Sequence, residues 1–370
     1  MASTPRAHGH GDTLLFLAVI GLTLFGFIMI GSASAVVAER FRDDAFYFLK
    51  HQLFYGATIG TIAFFVGYFA PYGLWRKVAM PALLTALALL VLVFVPGLQV
   101  ASGGSARWIG LGPITIQPSE ITKLAFILYL AALFDRKGDD IKDFKQSVVP
   151  FLVITGIISF LIVLQPDIGT LFSITAIGLS MIYAGGFRLK HLSIILMGGL
   201  AAFVILISTA SYRLNRLFVY LHPELDPQGI GYQINQALLA VGSGGVWGLG
   251  FGRSRQKYQY LPEPAGDSIF AIIAEELGFV RTSLVVCVYL LIAYRGYRVA
   301  MHAPDVFGRL LAVGITTWII IQALVNMSSI VALTPLTGIP LPFISYGGSA
   351  LATLLFAAGI LLNISRHTTK

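Results

Sequence analysis

The chain has 370 residues, 56% of them hydrophobic and only 11% charged, with a formal net charge of +8 at pH 7. Soluble domains are about 25% charged, so this composition excludes a soluble globular protein and indicates a membrane protein. The basic residues lie mainly in short loops between apolar runs, a distribution that sets orientation in a membrane and argues against nucleic-acid binding.

Apolar runs of about 20 residues recur along the chain, and each can cross a hydrocarbon core of about 30 Å as a helix. We therefore predict an all-α polytopic membrane protein with about ten transmembrane helices. A tail, residues 1–12, precedes one integral membrane domain, residues 13–370. The predicted spans are residues 13–36, 52–70, 78–98, 119–134, 148–165, 168–186, 191–210, 268–294, 308–333 and 345–364.

Lys and Arg are concentrated in the short loops on one side of these spans, which the positive-inside rule assigns to the cytoplasm together with both termini. The other side receives one long extracytoplasmic connection between spans seven and eight, residues 211–266. Its length exceeds that of ordinary loops, which marks it as functional or disordered. Within it, "GYQINQALLAVGSGGVWGLGFG" (Gly231–Gly252) joins an amphipathic piece to a glycine-rich bend, and such glycines favour a close backbone approach.

Ionisable residues in or beside the spans are candidates for chemistry, because each is costly in lipid without a partner or a wet cavity. Asp267 lies at the start of the eighth span. It is either the N-cap of that helix or a general base that takes a proton from a hydroxyl group at the membrane surface. Glu275, Glu276 and Arg281 lie deeper in this span, and we expect their charges to neutralise one another.

Further charged residues lie near the same face. Glu120 and Lys123, three residues apart on one helix face, form a structural ion pair or present the lysine to a phosphate. Asp167, in a very short turn, is expected to cap the sixth span. Guanidinium groups in the outer connections suit a diphosphate, although any single one can belong to a solvated loop. These outer cations are Arg107, Arg213, Arg216, Arg253, Arg255 and Lys257.

Five stretches carry a resemblance to a known family. They are "FYFLKHQL" (Phe46–Leu53), "GGSARWIGLGPITIQPSEITKL" (Gly103–Leu124), "LQPDIGT" (Leu164–Thr170), the segment Gly231–Phe279 with "YLPEPAGDSIFAIIAEELGF", and "LTGIPLPFISYGGSALATLLFAAGIL" (Leu336–Leu361). Through them nearly the whole chain resembles the SEDS family (shape, elongation, division and sporulation proteins), the RodA-like and FtsW-like peptidoglycan polymerases. The first stretch and "GRSRQKYQYLPEPAGDSIFA" look more like the FtsW branch.

The resemblance implies an inverting glycosyltransferase that polymerises lipid II on the outer face of the bacterial cytoplasmic membrane, for cell division or elongation. The acid of the family's "LPE…D" segment is catalytic, and Asp267 matches it. The family's paired acid and lysine match Glu120 and Lys123, and its "QPD" acid matches Asp167. The other residues expected to support the site or bind substrate are Arg107, Arg213, Arg216, Gln233, Arg253, Lys257, Glu263 and Ser345.

Two departures from the family pattern stand out. The chain has "EPAGDS" where many members have an "EAHTDF"-like segment, but Asp267 itself is kept. Arg281 stands where many members have glycine, which places a charge inside the eighth span.

The resemblance also implies partners: lipid II, the undecaprenyl-pyrophosphate-linked glycan, a class B penicillin-binding protein that cross-links the product, and other divisome or elongasome proteins. The metal requirement stays open, since a divalent cation (Mg²⁺ or Mn²⁺) is one way to stabilise a leaving diphosphate. The scattered histidines and the single cysteine show no metal-site spacing.

Two alternatives to a polymerase are a lipid II flippase and a scaffold without activity. A flippase is expected to place polar residues along a path through the membrane. The acids and amides crowd toward the outer half instead, which favours chemistry at the surface.

Overall fold

The computed structural model describes residues 9, 11–102, 105–112, 114–138, 141, 143–209, 211–226, 228–258 and 260–368. Helices dominate these ranges. They are α1 Thr13–Arg42, α2 Tyr47–His51, α3 Thr58–Phe69, α4 Tyr72–Leu92, α5 Pro118–Lys137, α6 Val149–Val163, α7 Ile168–Gly185, α8 Leu189–Ser208, α9 Ser211–Leu221, α10 Ile230–Gly244, α11 Ile269–Met301, α12 Val306–Ile330 and α13 Gly348–Arg366. Single π-helical turns, Gln52–Ala57 and Phe144–Val148, join α2 to α3 and lead into α6.

In the ranges just given, nine helical segments are long and apolar enough to cross a membrane. The remaining predicted span, the fourth (residues 119–134), corresponds to α5, which has 20 residues but carries more charge. Arg76 near the start of α4 pairs with Asp135 near the end of α5 at 3.1 Å, so α5 runs back alongside α4 across the same thickness. The prediction of a polytopic helical membrane protein is confirmed.

The start of α1 and the end of α13 meet at one end of the helix bundle. The backbone N–H of Asp12 donates to Ser365 Oγ at 2.9 Å, and Arg295 Nε donates to the Asp12 carboxylate at 2.7 Å. We call this the terminal end. The opposite end, where α1 finishes and α11 begins, is called the site end.

The centre of the bundle is formed by α12 and α13, most of whose residues are buried. Glycines bring α3 against α13: a Cβ atom at Gly359 would lie 2.2 Å from the Phe64 carbonyl oxygen, and one at Gly67 would lie 2.7 Å from the Phe356 oxygen. Because lipid supplies no hydrophobic drive between helices, such close backbone packing stabilises the bundle. By contrast, no residue of α8 is buried, and this helix lies at the periphery.

A small antiparallel sheet, which the pattern of apolar runs did not predict, lies between α4 and α5 at the site end. Its strands are β1 Gln99–Ser102, β2 Ser105–Leu111 and β3 Ile114–Ile116, in that spatial order. The third predicted span, 78–98, is displaced, since α4 covers Tyr72–Leu92. Helix α4 begins earlier than predicted and includes Arg76, whose charge is paired with Asp135. The residues beyond Leu92 leave the helix and lead into β1.

The long predicted connection contains α9 and α10, followed by the glycine-rich bend. This bend enters the bundle where α11 is broken at Gly278, which has φ 76° and ψ 177°. A Cβ atom at Gly278 would lie 2.1 Å from the Gly248 nitrogen, so the expected close backbone approach is confirmed. Backbone hydrogen bonds satisfy the broken helix. They run from Leu249 to Glu275, Gly250 to Glu276, Phe279 to Gly245 and Val280 to Val246.

Candidate functional site

Asp267 lies at the site end, immediately before α11, and its side chain is partly exposed. The N-cap of α11 is Ser268, so the alternative in which Asp267 caps this helix is wrong. The Asp267 carboxylate accepts a long hydrogen bond, 3.5 Å, from Ser268 Oγ, and the backbone N–H groups of Asp267 and Ser268 also lie against it. Because the side chain is partly exposed, a ligand can still reach the carboxylate.

The surroundings of Asp267 favour its neutral form. Burial raises the pKa of Asp267 from 3.8 to about 6, the negative charge of Glu263 adds to the rise, and hydrogen bonds at Ser268 oppose it. Glu263 is held close by its own turn, in which its carbonyl accepts the Gly266 N–H at 3.0 Å. A carboxylate with this pKa suits general-base catalysis, since a base works best when its pKa lies near the operating pH.

The connection between α12 and α13, residues 331–347, packs against the Asp267 turn and is called the clamp loop. Asn326 Nδ2 donates to the carbonyl of Asp267 at 2.7 Å and to that of Ile339 at 2.8 Å. Ser345 Oγ donates to the Gly266 carbonyl at 2.7 Å. A Cβ atom at Gly338 would lie 3.8 Å from Asp267 Oδ2, so the carboxylate faces the clamp loop. The predicted Ser345 thus supports Asp267 through the backbone.

Glu120 and Lys123 form the expected ion pair at 2.7 Å, and both side chains are buried. Gln322 Oε1 accepts from Lys123 Nζ at 2.9 Å, and Gln322 Nε2 donates to the Pro340 carbonyl at 3.0 Å. The pair therefore reaches the clamp loop through Gln322. Because both side chains are buried, this arrangement leaves no room for a phosphate to contact Lys123. The pair contacts the clamp loop through Gln322 instead.

Asp167 is the N-cap of α7, as predicted, and accepts from the Thr170 N–H at 3.1 Å. Arg107 on β2 donates from Nε to the Gln165 carbonyl at 3.2 Å and places Nη1 3.9 Å from the Asp167 carboxylate. The first turn of α7 meets the clamp loop, since a Cβ atom at Gly169 would lie 2.6 Å from Ile339 Cγ1. Arg107 and Asp167 therefore belong to the same cluster as Asp267.

Gln233 joins the cluster from α10. Its Nε2 donates to Ser268 Oγ at 3.2 Å, and that hydroxyl in turn lies against the Asp267 carboxylate. The structure thus brings together the predicted residues Asp267, Glu263, Gln233, Ser345, Asp167 and Arg107, with Glu120 and Lys123 behind the clamp loop.

Three predicted cations lie elsewhere at this end. Arg213 and Arg216 stand on α9, and Arg213 Nη1 donates to the Leu206 carbonyl at the end of α8, 2.7 Å away. Helix α9 is tied to the clamp loop by Tyr220, whose hydroxyl donates to the Leu333 carbonyl at 2.9 Å. Arg253 is exposed in the bend after α10.

Lys257 does not belong to an exposed cation cluster, which corrects the prediction. It is 4% exposed, and its ammonium group lies 3.1 Å from Glu276 and 2.6 Å from the Gly252 carbonyl. A cation enclosed in this way among protein acceptors is not available to a diphosphate. The sequence could not reveal this, because Glu276 is 19 residues away in the next helix.

The expected mutual neutralisation of Glu275, Glu276 and Arg281 is also wrong. Glu276 pairs with Lys257, and Glu275 accepts from the Arg255 N–H at 2.9 Å and from Ser254 Oγ. Arg281 donates to the Trp247 carbonyl at 3.0 Å. The break at Gly278 admits the bend after α10, and this bend supplies partners that replace the contacts expected within one regular helix.

Two residues of this site, Gln322 and Asn326, were not predicted, because they are uncharged and lie inside an apolar span. Gln322 and Asn326 stand four residues apart on α12, both buried, and both reach the clamp loop. Two amide side chains at this spacing within an apolar span indicate a buried polar site, as a charged residue does, since each amide needs a hydrogen-bond partner in lipid. Among the described residues no group of three or more His, Cys, Asp or Glu side chains could hold a metal ion.

Comparisons with known proteins agree over nearly the whole chain. The family model for FtsW, RodA and SpoVE, described as "Cell cycle protein", matches residues 12–370. The chain is 44% identical to stage V sporulation protein E of Bacillus subtilis, over 96% of this chain and 97% of the relative. It is 43% identical to a probable peptidoglycan glycosyltransferase FtsW of Trichlorobacter lovleyi, over 96% and 93%.

Solved structures share this fold. One is a chain from a peptidoglycan synthase complex described by its coordination of polymerization and crosslinking, with a TM-score of 0.78 and 26% identity, covering 96% of this chain and 98% of that one. Another is the rod shape determining protein RodA of Thermus thermophilus, with a TM-score of 0.71 and 26% identity, covering 97% and 98%.

Proposed function

Because the chain belongs to the FtsW/RodA/SpoVE family of cell cycle proteins, we propose that it is a peptidoglycan glycosyltransferase that polymerises lipid II. The observation that carries the mechanism is the carboxylate of Asp267, partly exposed, free of a capping role and with a pKa of about 6. The names of relatives at 43% and 44% identity support the FtsW and SpoVE branches over the RodA branch.

The reaction is an inverting glycosyl transfer. The 4-hydroxyl oxygen of GlcNAc on one lipid II forms a bond to the anomeric carbon of MurNAc on the growing chain. The bond from that carbon to the diphosphate oxygen breaks on the opposite face, and undecaprenyl diphosphate leaves. Asp267 accepts the hydroxyl proton, and the clamp loop keeps its carboxylate aimed at the attacking oxygen.

Charge on the leaving diphosphate needs compensation. Arg107 stands in the Asp267 cluster and is the cation best placed to supply it, with Arg213 and Arg216 on α9 at the same end. A divalent cation bound to the diphosphate would add to this compensation.

The membrane assignment follows from charge. We place the terminal end, with both chain termini and the basic short loops, in the cytoplasm and the site end outside the bacterial cytoplasmic membrane. The partner is a class B penicillin-binding protein, in keeping with a fold shared with a peptidoglycan synthase complex of coupled polymerization and crosslinking.

The test uses purified protein with its cognate transpeptidase and labelled lipid II, with glycan strands resolved on a gel. We expect strands from the wild type, a loss of about 10²- to 10⁴-fold in Asp267→Asn, and unchanged activity in Asp44→Asn. Asp44 is a matched control, because it is an acid in a surface ion pair with Lys50. Lipid II transfer across vesicles without strand formation would establish the flippase instead.

A further inference from the structure

An apolar groove lies between α4 and α6 on the lipid-facing side of the bundle. It has a volume of about 960 Å³, and every residue that lines it is apolar, including Val91 and Leu92 on α4 and Leu152, Ile157 and Phe160 on α6. Gly156 stands in its wall with open space where a side chain would lie. The groove is thus a lengthwise trough for hydrocarbon.

The groove runs up to the site end. Leu92 is the last residue of α4, and Leu161 is two residues from the end of α6. From Leu152 to Leu161 a helix rises roughly 14 Å at 1.5 Å per residue. That span is close to half of a hydrocarbon core of about 30 Å, so the groove covers about one leaflet.

A cation and the Asp267 cluster follow directly beyond the groove. Gln165 Nε2 donates to the Leu90 carbonyl at 3.2 Å and bridges the two helices at its end. Arg107 donates to the carbonyls of Gln165 and Pro166, only one helical turn after Leu161. From there Asp167 begins α7, which contacts the clamp loop facing Asp267. The apolar groove, the Arg107 guanidinium group and the Asp267 carboxylate therefore follow one another along the protein.

We propose that this groove binds the polyprenyl tail of one of the two lipid-linked substrates. This assignment rests on the proposed function. A polyprenyl-diphosphate sugar matches this order, because its apolar chain is joined through a diphosphate to the sugar. The chain would lie in the groove, the diphosphate beside Arg107 and the sugar beside Asp267. A single groove accommodates one hydrocarbon chain, such as a polyprenyl chain, whereas a phospholipid has two acyl chains.

The first test fills the groove. Gly156→Phe puts a ring into the groove. Gly21→Phe is its matched control, since Gly21 on α1 is also exposed with open space at its Cβ position but does not line the groove. We expect KM for lipid II to rise about tenfold in Gly156→Phe, as if two methylene groups left the groove, with kcat unchanged. Equal KM values in both variants, at equal thermal midpoints, overturn the proposal.

The second test measures binding without turnover. A photo-crosslinking residue at Ile157 is compared with one at Leu24 on α1, both exposed, using labelled undecaprenyl diphosphate. We expect labelling at Ile157 that unlabelled undecaprenyl diphosphate displaces and phosphatidylglycerol does not. Displacement by both lipids, or equal labelling at Leu24, means that the groove holds ordinary membrane lipid and refutes the inference. Strand formation by the wild type reports on the proposed function separately.

Discussion

Replacing Asp267 with Asn keeps the shape of the side chain and removes its charge. The backbone contact to Asn326 is retained, because Asn326 donates to the carbonyl of residue 267. A general base contributes about 10²- to 10⁴-fold, so strand formation is expected to fall by that factor. In the wild type, a pKa of about 6 leaves the base ionised above pH 7, and its activity is expected to fall about tenfold near pH 5.

The same substitution is expected to stabilise the fold. Because burial raises the pKa of Asp267 above its ordinary value of 3.8, the folded state binds this proton more tightly than the unfolded state. The free energy of unfolding of the wild type therefore falls as pH rises from about 4 to about 6. At 1.36 kcal/mol per pKa unit the ionised carboxylate costs at most about 3 kcal/mol, and solvent at the partly exposed side chain reduces this cost to about 1–2 kcal/mol.

The assay pairs strand formation with thermal unfolding in detergent at pH 4 and pH 8. We expect Asp267→Asn to be inactive at both values, to unfold at a higher temperature than the wild type at pH 8, and to match it at pH 4. Full activity in a folded Asn variant would remove Asp267 from the base role. A variant that is inactive but less stable at pH 8 would contradict the burial argument and assign the carboxylate a structural role.

Three further substitutions test the supports of the site. Asn326→Leu removes the donor that holds the Asp267 carbonyl, so kcat is expected to fall by up to about 10²-fold at nearly constant KM, as kinetics on lipid II would show. Glu276→Leu leaves the Lys257 ammonium buried without its charge partner and is expected to cost about 3–5 kcal/mol, which thermal unfolding would register. Gly278→Ala forces a side chain into φ 76° against the bend after α10, so the yield of folded protein is expected to collapse.

Each of these has its own control. The double variant Glu276→Leu with Lys257→Met is expected to recover most of the lost stability, and failure to recover would mean that the charge pair is not the cause. Gly21→Ala, at an open position, is expected to leave the yield unchanged. A shift of KM rather than kcat in Asn326→Leu would argue for substrate contact instead of positioning.

Local composition determined the membrane architecture. Each apolar run must satisfy its backbone hydrogen bonds internally, so hydropathy alone predicts helices and their approximate bounds. The N-cap role of Asp167 and the Glu120–Lys123 pair were also predictable, because each depends on residues only three positions apart. The close approach at the bend after α10 followed from its glycines.

Contacts between distant segments were decided by tertiary structure alone. Lys257 finds Glu276, Gln322 links Lys123 to the clamp loop, and Asn326 holds Asp267, in each case across separate helices. Hydropathy records whether a residue is costly in lipid, but which partner offsets that cost depends on how the helices pack. The sequence thus identified Asp267 as a candidate base, and the packing of α11 and α12 left its carboxylate free of a cap, raised its pKa and held it in place.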